Sequence, residues 1–331
     1  MVSSVERSFS ALVTSPAWRA EAVRWATGCL ASLGTEVVGE VEQPRVRPWS
    51  TQLVLPTDAG RVWFKANCPD LAAEAAVQEV LAALLPHRVD RPLAVDADRG
   101  WVLTADRGET LAEDATGASV EQWTAVMRLA AQVQRELAGS GAPLLAAGLP
   151  DCRPDTVVRR FDVMVRLLAD LPPGHPSHLD ARGEEELRGA AGLVRDAATV
   201  LADSQVPSSL QHGDLHARNV FDVGGELRLF DFGDSQWAHA FEVLVVPHAV
   251  VTHVDARDWP EVLDAYAAEW ADVVDRHEVE PLVEAATVTH GVNRAQTWYA
   301  AVRGAGPQEL ADWGDAPLDA LRRVLPGVAP R

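Results

Sequence analysis

The stretch Leu210-Gln-His-Gly-Asp-Leu-His-Ala-Arg-Asn-Val-Phe221, followed across Gly224-Gly225 by Leu227-Arg-Leu-Phe-Asp-Phe-Gly233, decides how this chain folds. Apolar residues bracket a polar loop that carries Asp214 and Asn219, five positions apart. The paired glycines make a tight turn, and the second apolar run returns as a strand that ends at Asp231. A hairpin of this kind brings Asp214, Asn219 and Asp231 to one edge. Two carboxylates and an amide oxygen are hard oxygen ligands, suited to magnesium bridging phosphates and not to zinc.

Phosphoryl transfer gives each of these groups a reason. It needs a nucleophile held in line and charge neutralised on the transferring group, with little covalent work by the protein. Asp214 is expected to accept or orient the proton of a substrate hydroxyl. Asn219 and Asp231 are expected to hold Mg2+ against triphosphate oxygens, and Lys65 to pair with the inner phosphates. Taken singly, an Asp or Asn in a loop is a helix cap or a turn residue. The ordered set of strand lysine, acidic helix, His-Gly-Asp loop, hairpin and Asp-Phe-Gly is far more specific.

Lys65 stands out on composition alone. Of 29 basic residues, 28 are arginine and this one is lysine. Chance can leave one lysine behind, but a compact ammonium is also what a planar guanidinium cannot imitate. It ends the run Val62-Trp-Phe-Lys65, and a helix over residues 71–85 follows it. Glu74 shares a face of that helix with Val77, Leu81 and Leu85, whereas Glu79 falls among alanines. An inward carboxylate needs a partner, so Glu74 is expected to pair with Lys65.

The bulk properties set limits. A chain of 331 residues suffices for one large domain or two modest ones. Its 47% hydrophobic and 23% charged content is ordinary for a globular protein. The net charge of −19, with no basic patch, argues against a nucleic-acid partner. It could attract a cationic substrate, although solubility explains it as well. No apolar run approaches the roughly 20 residues that cross a bilayer, so no membrane partner is expected. The opening MVSSVERSFSALV lacks a basic region followed by a long apolar stretch, so no secretory leader is expected. Cys29, Cys68 and Cys152 are few and far apart, which suits a reducing cytoplasm and neither disulfides nor zinc.

The pattern along the chain predicts an α+β fold. A helix over residues 20–33 precedes a hairpin of 52–55 with 61–65, and a second strand pair is expected at 93–96 and 100–104. Beyond residue 107 helices dominate, over 120–138, 156–171, 184–202, 259–276, 281–302 and 318–325. The short strands around the quoted stretch interrupt them. The expected division is therefore an N-terminal nucleotide-binding lobe, residues 1–107, and a helical C-terminal lobe, residues 108–331, that carries the catalytic loop and substrate site.

His212-Gly-Asp-Leu-His-Ala-Arg-Asn219 and Phe230-Asp-Phe-Gly-Asp234 resemble the catalytic loop and metal-binding strand of the aminoglycoside phosphotransferase and choline kinase-like family of small-molecule kinases. The resemblance spans roughly residues 43–298 and implies a protein-kinase-like two-lobed fold, with a small antiparallel-sheet lobe and a larger helical one. It implies the roles given above for Asp214, Asn219, Asp231 and Lys65, and makes His212 a strut of the catalytic loop. His216 reads the same way, as a strut and not a base. The resemblance departs from protein kinases in the phosphate loop, where no Gly-x-Gly-x-x-Gly precedes Lys65. Arg47-Pro-Trp-Ser-Thr51 stands there instead, so the hydroxyls of Ser50 and Thr51 are expected to cover phosphates.

Leu103-Thr-Ala-Asp106 lies at the expected hinge, where its backbone, at Thr104 and Asp106, is expected to meet the purine of ATP or GTP. His290, Arg294 and Trp298 recur at helical spacing beside Asn293 and Thr297, and with Asp234 they are candidate acceptor contacts. A polar helix face packed against the lobe is the competing reading. The expected acceptor is a hydroxyl of an aminoglycoside-like compound, amino sugar or related metabolite, and the protein a monomer or homodimer. A protein kinase fits less well, because no Ala-Pro-Glu follows Asp-Phe-Gly. A pseudokinase that binds nucleotide without turnover is the rival from another class, and it has no need of a base. If Lys65 survives for its compact ammonium, Lys65→Arg should lower turnover about tenfold or more despite the retained charge. Steady-state kinetics of the variant check this, and full activity would dismiss the argument.

Overall fold

Two strands over residues 50–57 and 60–67, whose side chains point in turn to opposite faces, build the centre of a five-stranded antiparallel sheet in the computed structural model, which describes residues 8–112 and 117–327. The strands are β1 (Glu42–Val46), β2 (Ser50–Thr57), β3 (Gly60–Asn67), β4 (Ala94–Asp96) and β5 (Trp101–Ala105), in the order β1-β2-β3-β5-β4. Opposite residues share a face, so Arg45, Gln52, Lys65 and Val102, which pair in turn across four strands, project to one side. Leu53, Leu55, Phe64, Trp101 and Leu103 project to the other side. There the Pro16–Ser32 helix covers them with Trp18, Ala22, Ala26 and Leu30. Trp18, Trp25, Phe64 and Trp101 meet edge to face at 5.4 to 6.1 Å.

Helix Glu74–Leu84 leaves this small lobe's core. Its Val77, Leu81 and Ala82 join the main cluster of the helical lobe, with Trp123, Met127, Phe232 and Tyr266. The helix therefore ties the sheet to the larger lobe. That lobe is built on Val120–Glu136, Pro154–Ala169, Trp259–Ala268 and the long Val279–Val302. Two small antiparallel pairs sit in it: β6 (Ser208–Gln211) with β9 (Gln236–His239), and β7 (Val220–Val223) with β8 (Glu226–Leu229). The β7–β8 hairpin is sewn to the interlobe segment, where Leu111 N–H donates to Val220 O at 3.0 Å, and to the loop before β4, where Leu229 N–H donates to Arg88 O at 2.9 Å.

Several elements differ from the sequence reading. β1 is not foreseen, because Pro44 and three charged or amide side chains hide its pattern. It is an edge strand, where a missing N–H is tolerated. The expected helix over 184–202 is two, Ala181–Gly189 and Ala191–Asp203, meeting at the Gly189 end. The helix expected to reach 276 stops at Ala268, and Asp275 with Glu278 forms a capping box that starts the next one. Leu71 belongs to a single 3-10 turn, Pro69–Leu71, ahead of Glu74. The first seven residues, used in the reading of the N-terminus, and the last four of the expected C-terminal lobe lie outside the described residues.

One buried network in the helical lobe has a measurable consequence. Glu242 is fully buried, accepting from Thr289 Oγ1 at 2.8 Å and Asn293 Nδ2 at 2.9 Å, while Asn293 Oδ1 accepts from Arg160 Nε at 3.0 Å. Burial pushes its carboxyl up to about 7, against the lowering effect of those hydrogen bonds. Between pH 4.5 and about 7 the unfolded chain loses this proton before the folded one does. Stability should therefore fall as pH rises through that window, by roughly 3 kcal/mol from this group. Glu242→Gln removes the ionisation while its amide oxygen keeps one of the two accepted hydrogen bonds, and it should flatten that part of the curve. Thermal melts at several pH values check this, and an unchanged slope in the variant would contradict it.

Candidate active site

Lys65 is the point at which sheet, helix and hairpin meet. Its Nζ lies 2.8 Å from Glu74 Oε1 and 2.7 Å from Asp231 Oδ1. Glu74 is 5% exposed, and it also accepts from Asn67 Nδ2 and, at 3.1 Å, from the backbone N–H of Phe232. The carboxylate chosen from the helix pattern is thus the partner, while Glu79 is exposed. Burial alone would lower the ammonium's pKa, but Asp231 and Glu74 raise it well above the ordinary lysine value. Burial likewise pushes Asp231 up, and Lys65 more than offsets this, so the carboxylate is held ionised.

Asp231 sits at φ 64°, a left-handed conformation that few residues other than glycine or asparagine adopt freely. The neighbouring His-Gly-Asp loop explains how that bend is accommodated. Gly213, at φ +84°, passes so close to the hairpin that a Cβ would lie 2.0 Å from Asp234 O. Ser235 Oγ donates to His212 O at 3.0 Å, and the buried His212 ring meets Phe230 O at 3.0 Å through Nε2. His212 therefore braces the loop against the Asp-Phe-Gly strand, and burial lowers its pKa. Asn219 Nδ2 donates to Asp214 O at 2.8 Å, which fixes the five-residue loop and turns the amide oxygen away from that bond. His216 Nε2 lies 3.4 Å from Asp214 Oδ2.

Asp214 opens to a cleft, with 37% of its side chain exposed. Burial pushes its pKa up, but His216 and then Arg294 more than offset this and bring it to about 2. Arg294 Nη1 lies 3.0 Å from Asp234 Oδ2, and its guanidinium stands 5.0 Å over the Trp298 ring. Trp298 stacks on Trp313 at 6.0 Å and meets Trp49 edge-on at 5.6 Å.

Two cavities join here, and Lys65 and Asp231 line both. The smaller, of about 200 Å³, contains Asp214, Asp234, Arg294, Trp298, Ser50 and Arg45. The larger, of about 470 Å³, runs under Gln52 and Trp63, past Thr104 and Asp106 in the interlobe segment, and over Phe221 and Phe230. Phe221 and Phe230 stack at 4.2 Å, giving the larger cavity a flat apolar floor.

Most candidate residues come together, and two, Thr51 and His290, do not act as expected. Thr51 points to the covered face of the sheet, where its hydroxyl donates to Arg45 O at 2.9 Å and accepts from Gln43, so it cannot cover phosphates. Strand alternation dictates this, since Ser50 and Gln52 take the cleft side. Asp106 lines the larger cavity as expected of its segment, with its carboxylate held by Arg61 Nε at 2.6 Å and by Gly108 N–H at 3.0 Å. His290 is buried outside both cavities with both ring nitrogens unpartnered, and burial lowers its pKa to about 3. Asn67 and Arg45 are cleft residues absent from the sequence reading. Asn67, two residues beyond Lys65 on the same strand face, was accessible from alternation, whereas Arg45 lies on the unforeseen strand.

A small sheet lobe, a helical lobe, and a lysine, two aspartates and an asparagine at their junction define a protein-kinase-like phosphotransferase. The sequence model of the phosphotransferase enzyme family matches residues 59–282, and the chain belongs to that family, whose reaction takes a hydroxyl as acceptor. No curated sequence matches the chain. Solved structures share the fold at low identity. A macrolide 2'-phosphotransferase type I is 12% identical at a TM-score of 0.57, covering 91% of this chain and 97% of its own. A choline/ethanolamine kinase family protein from Mesorhizobium loti is 16% identical at 0.58, covering 92% and 95%. A spectinomycin phosphotransferase, solved with ADP and spectinomycin, is 10% identical at 0.54, covering 93% and 94%.

The close passage of Gly213 gives a direct test. Gly213→Ala places a methyl against a backbone carbonyl at a left-handed φ, which should cost about 3 kcal/mol or more. A melting temperature within a degree or two of the parent would show that the loop relaxes without strain.

Proposed function

We propose that this protein transfers the terminal phosphoryl group of ATP or GTP, with Mg2+, to a hydroxyl of a small molecule such as an amino sugar, an aminoglycoside-like compound or a related metabolite. The observation that carries the reading is the Lys65 ion pair with Glu74 and Asp231 at the junction of two cavities, one floored by stacked phenylalanines and the other holding Asp214. The donor's base belongs in the larger cavity and the acceptor in the smaller. A smaller cavity of about 200 Å³, walled by Trp49 and Trp298, favours a compact acceptor.

The residues fit a magnesium ion held chiefly by phosphate oxygens. Among the described residues no group of three or more His, Cys, Asp and Glu could hold a metal alone, whereas Asp231 and the free oxygen of Asn219 offer the one or two protein oxygens such an ion takes. When bound, it would neutralise charge on the donor's phosphates. Lys65 would orient the inner phosphates. Asp214, ionised at any working pH, would orient the acceptor hydroxyl in line and receive its proton as transfer proceeds. Arg294 neutralises Asp234 beside it, which limits repulsion between Asp234 and Asp214.

Among the described residues no helix is long and apolar enough to cross a membrane, and the three cysteines are free thiols. The free thiols support a cytoplasmic location; the proposal is of a protein that acts on a small-molecule substrate, as monomer or homodimer, without nucleic acid or membrane.

The test is magnesium-dependent release of nucleoside diphosphate from ATP and GTP across aminoglycosides, amino sugars, choline, homoserine and macrolides. Release stimulated by one acceptor class should fall about 10³-fold or more in Asp214→Asn, with nucleotide affinity changed less than about threefold. Asp231→Asn should instead weaken magnesium-dependent nucleotide binding. Tight nucleotide binding with no stimulation by any acceptor would favour a binding protein without turnover, and no nucleotide binding would overturn the proposal.

A further inference from the structure

We infer that Arg45, on the edge strand of the sheet, grips the terminal phosphate of the donor nucleotide and takes the place of a glycine-rich phosphate loop. The inference rests on the proposed function and adds to it a residue that neither the sequence motifs nor the family match assigns.

Arg45 lies opposite Gln52, and Gln52 opposite Lys65, so the arginine and the lysine flank one glutamine on the cleft face of the sheet. A register shift between Glu42 and Arg45 turns the edge strand at this point. The guanidinium lines the smaller cavity together with Lys65, Asp231 and Asp214. Its Nη2 donates to Ser50 Oγ at 3.3 Å, while its Nε is buried without a hydrogen-bond partner. Among the described residues no carboxylate forms an ion pair with it.

The other cations of the cavity are already engaged. Lys65 is shared between Glu74 and Asp231, and Arg294 lies against Asp234. Arg45 is left as a charged donor, partly desolvated, facing a cavity and lacking an anion. Such a group calls for an anionic ligand, and a guanidinium offers a phosphate two parallel N–H donors.

Position along the cleft selects which phosphate. Lys65 borders both cavities, whereas Arg45 lines only the one that holds Asp214. A nucleotide with its base in the larger cavity therefore meets Lys65 first and Arg45 nearer the acceptor. The phosphate at Arg45 is the one that is transferred, where a fixed cation stabilises the charge that develops during transfer.

The experiment compares a non-hydrolysable β,γ-imido triphosphate with the corresponding diphosphate, by calorimetry with Mg2+ in excess, for the parent chain, Arg45→Gln and Arg45→Lys. Arg45→Gln should weaken the triphosphate analogue about tenfold or more and the diphosphate less than about twofold, with partial recovery in Arg45→Lys. Unchanged diphosphate affinity also shows that the variant is folded. Equal weakening of both nucleotides, or of neither, would overturn the assignment while leaving the proposed function intact. A parent chain that binds neither nucleotide would remove the proposed function, and this inference with it.

Discussion

The architecture depends on a single ammonium group held between two carboxylates. Lys65 comes from the sheet, Glu74 from the helix that joins the larger core, and Asp231 from the hairpin of the helical lobe. Exchanging a buried ion cluster for apolar side chains is often neutral or stabilising, so stability alone does not explain its presence. Its effect is positional. The same Glu74 accepts the Phe232 N–H, which fixes the residue after the left-handed Asp231. Removing Lys65 would leave two carboxylates without their shared partner, and breaking a buried ion pair in this way typically costs about 3 to 5 kcal/mol. Three elements distant in sequence are thereby held in one geometry.

Around this centre the charges alternate within short distances, despite an overall net charge of −19. Asp214, Asp234 and Asp231 face Arg294, Arg45 and Lys65 across one small cavity, so the cavity lining is close to neutral. A strongly acidic surface thus says little about the acceptor. Long-range fields are screened beyond about 8 Å at physiological ionic strength. Within the cavity, the pairing of Arg294 with Asp234 and its approach to the Trp298 ring set the local environment of Asp214.

Legibility in the sequence followed the range of the interactions. The His-Gly-Asp loop, the hairpin and the Lys65–Glu74 pairing were readable because each depends on spacing within one or two elements. The choice of Glu74 over Glu79 needed only helical periodicity. Thr51 failed because the register of its strand was not used. Alternation from Lys65 through its partner Gln52 would have turned Thr51 away from the cleft. Arg45 was invisible for a different reason. An edge strand containing Pro44 has no apolar alternation to reveal it, and only the sheet shows that it lies beside Gln52. His290 illustrates the opposite error, since helical spacing groups it with Arg294 although it lies buried away from both cavities. Periodicity identifies a face and leaves open where along a helix of 24 residues the cavity ends.

The lobes meet at more than the interlobe segment. On the acceptor side Trp49, from the turn between β1 and β2, packs against Trp298 and Trp313 of the helical lobe, and Arg303 of that lobe pairs with Asp70. On the opposite side the Glu74 helix shares the larger core. The turn that carries Trp49 also connects Arg45 to Ser50, so the aromatic wall of the proposed acceptor cavity and the proposed roof over the phosphates belong to one short segment. A displacement of Trp49 would therefore shift both. Wall and roof are mechanically linked through the six residues 45–50, a coupling that a glycine-rich loop, without side chains to anchor it across the cleft, would not supply.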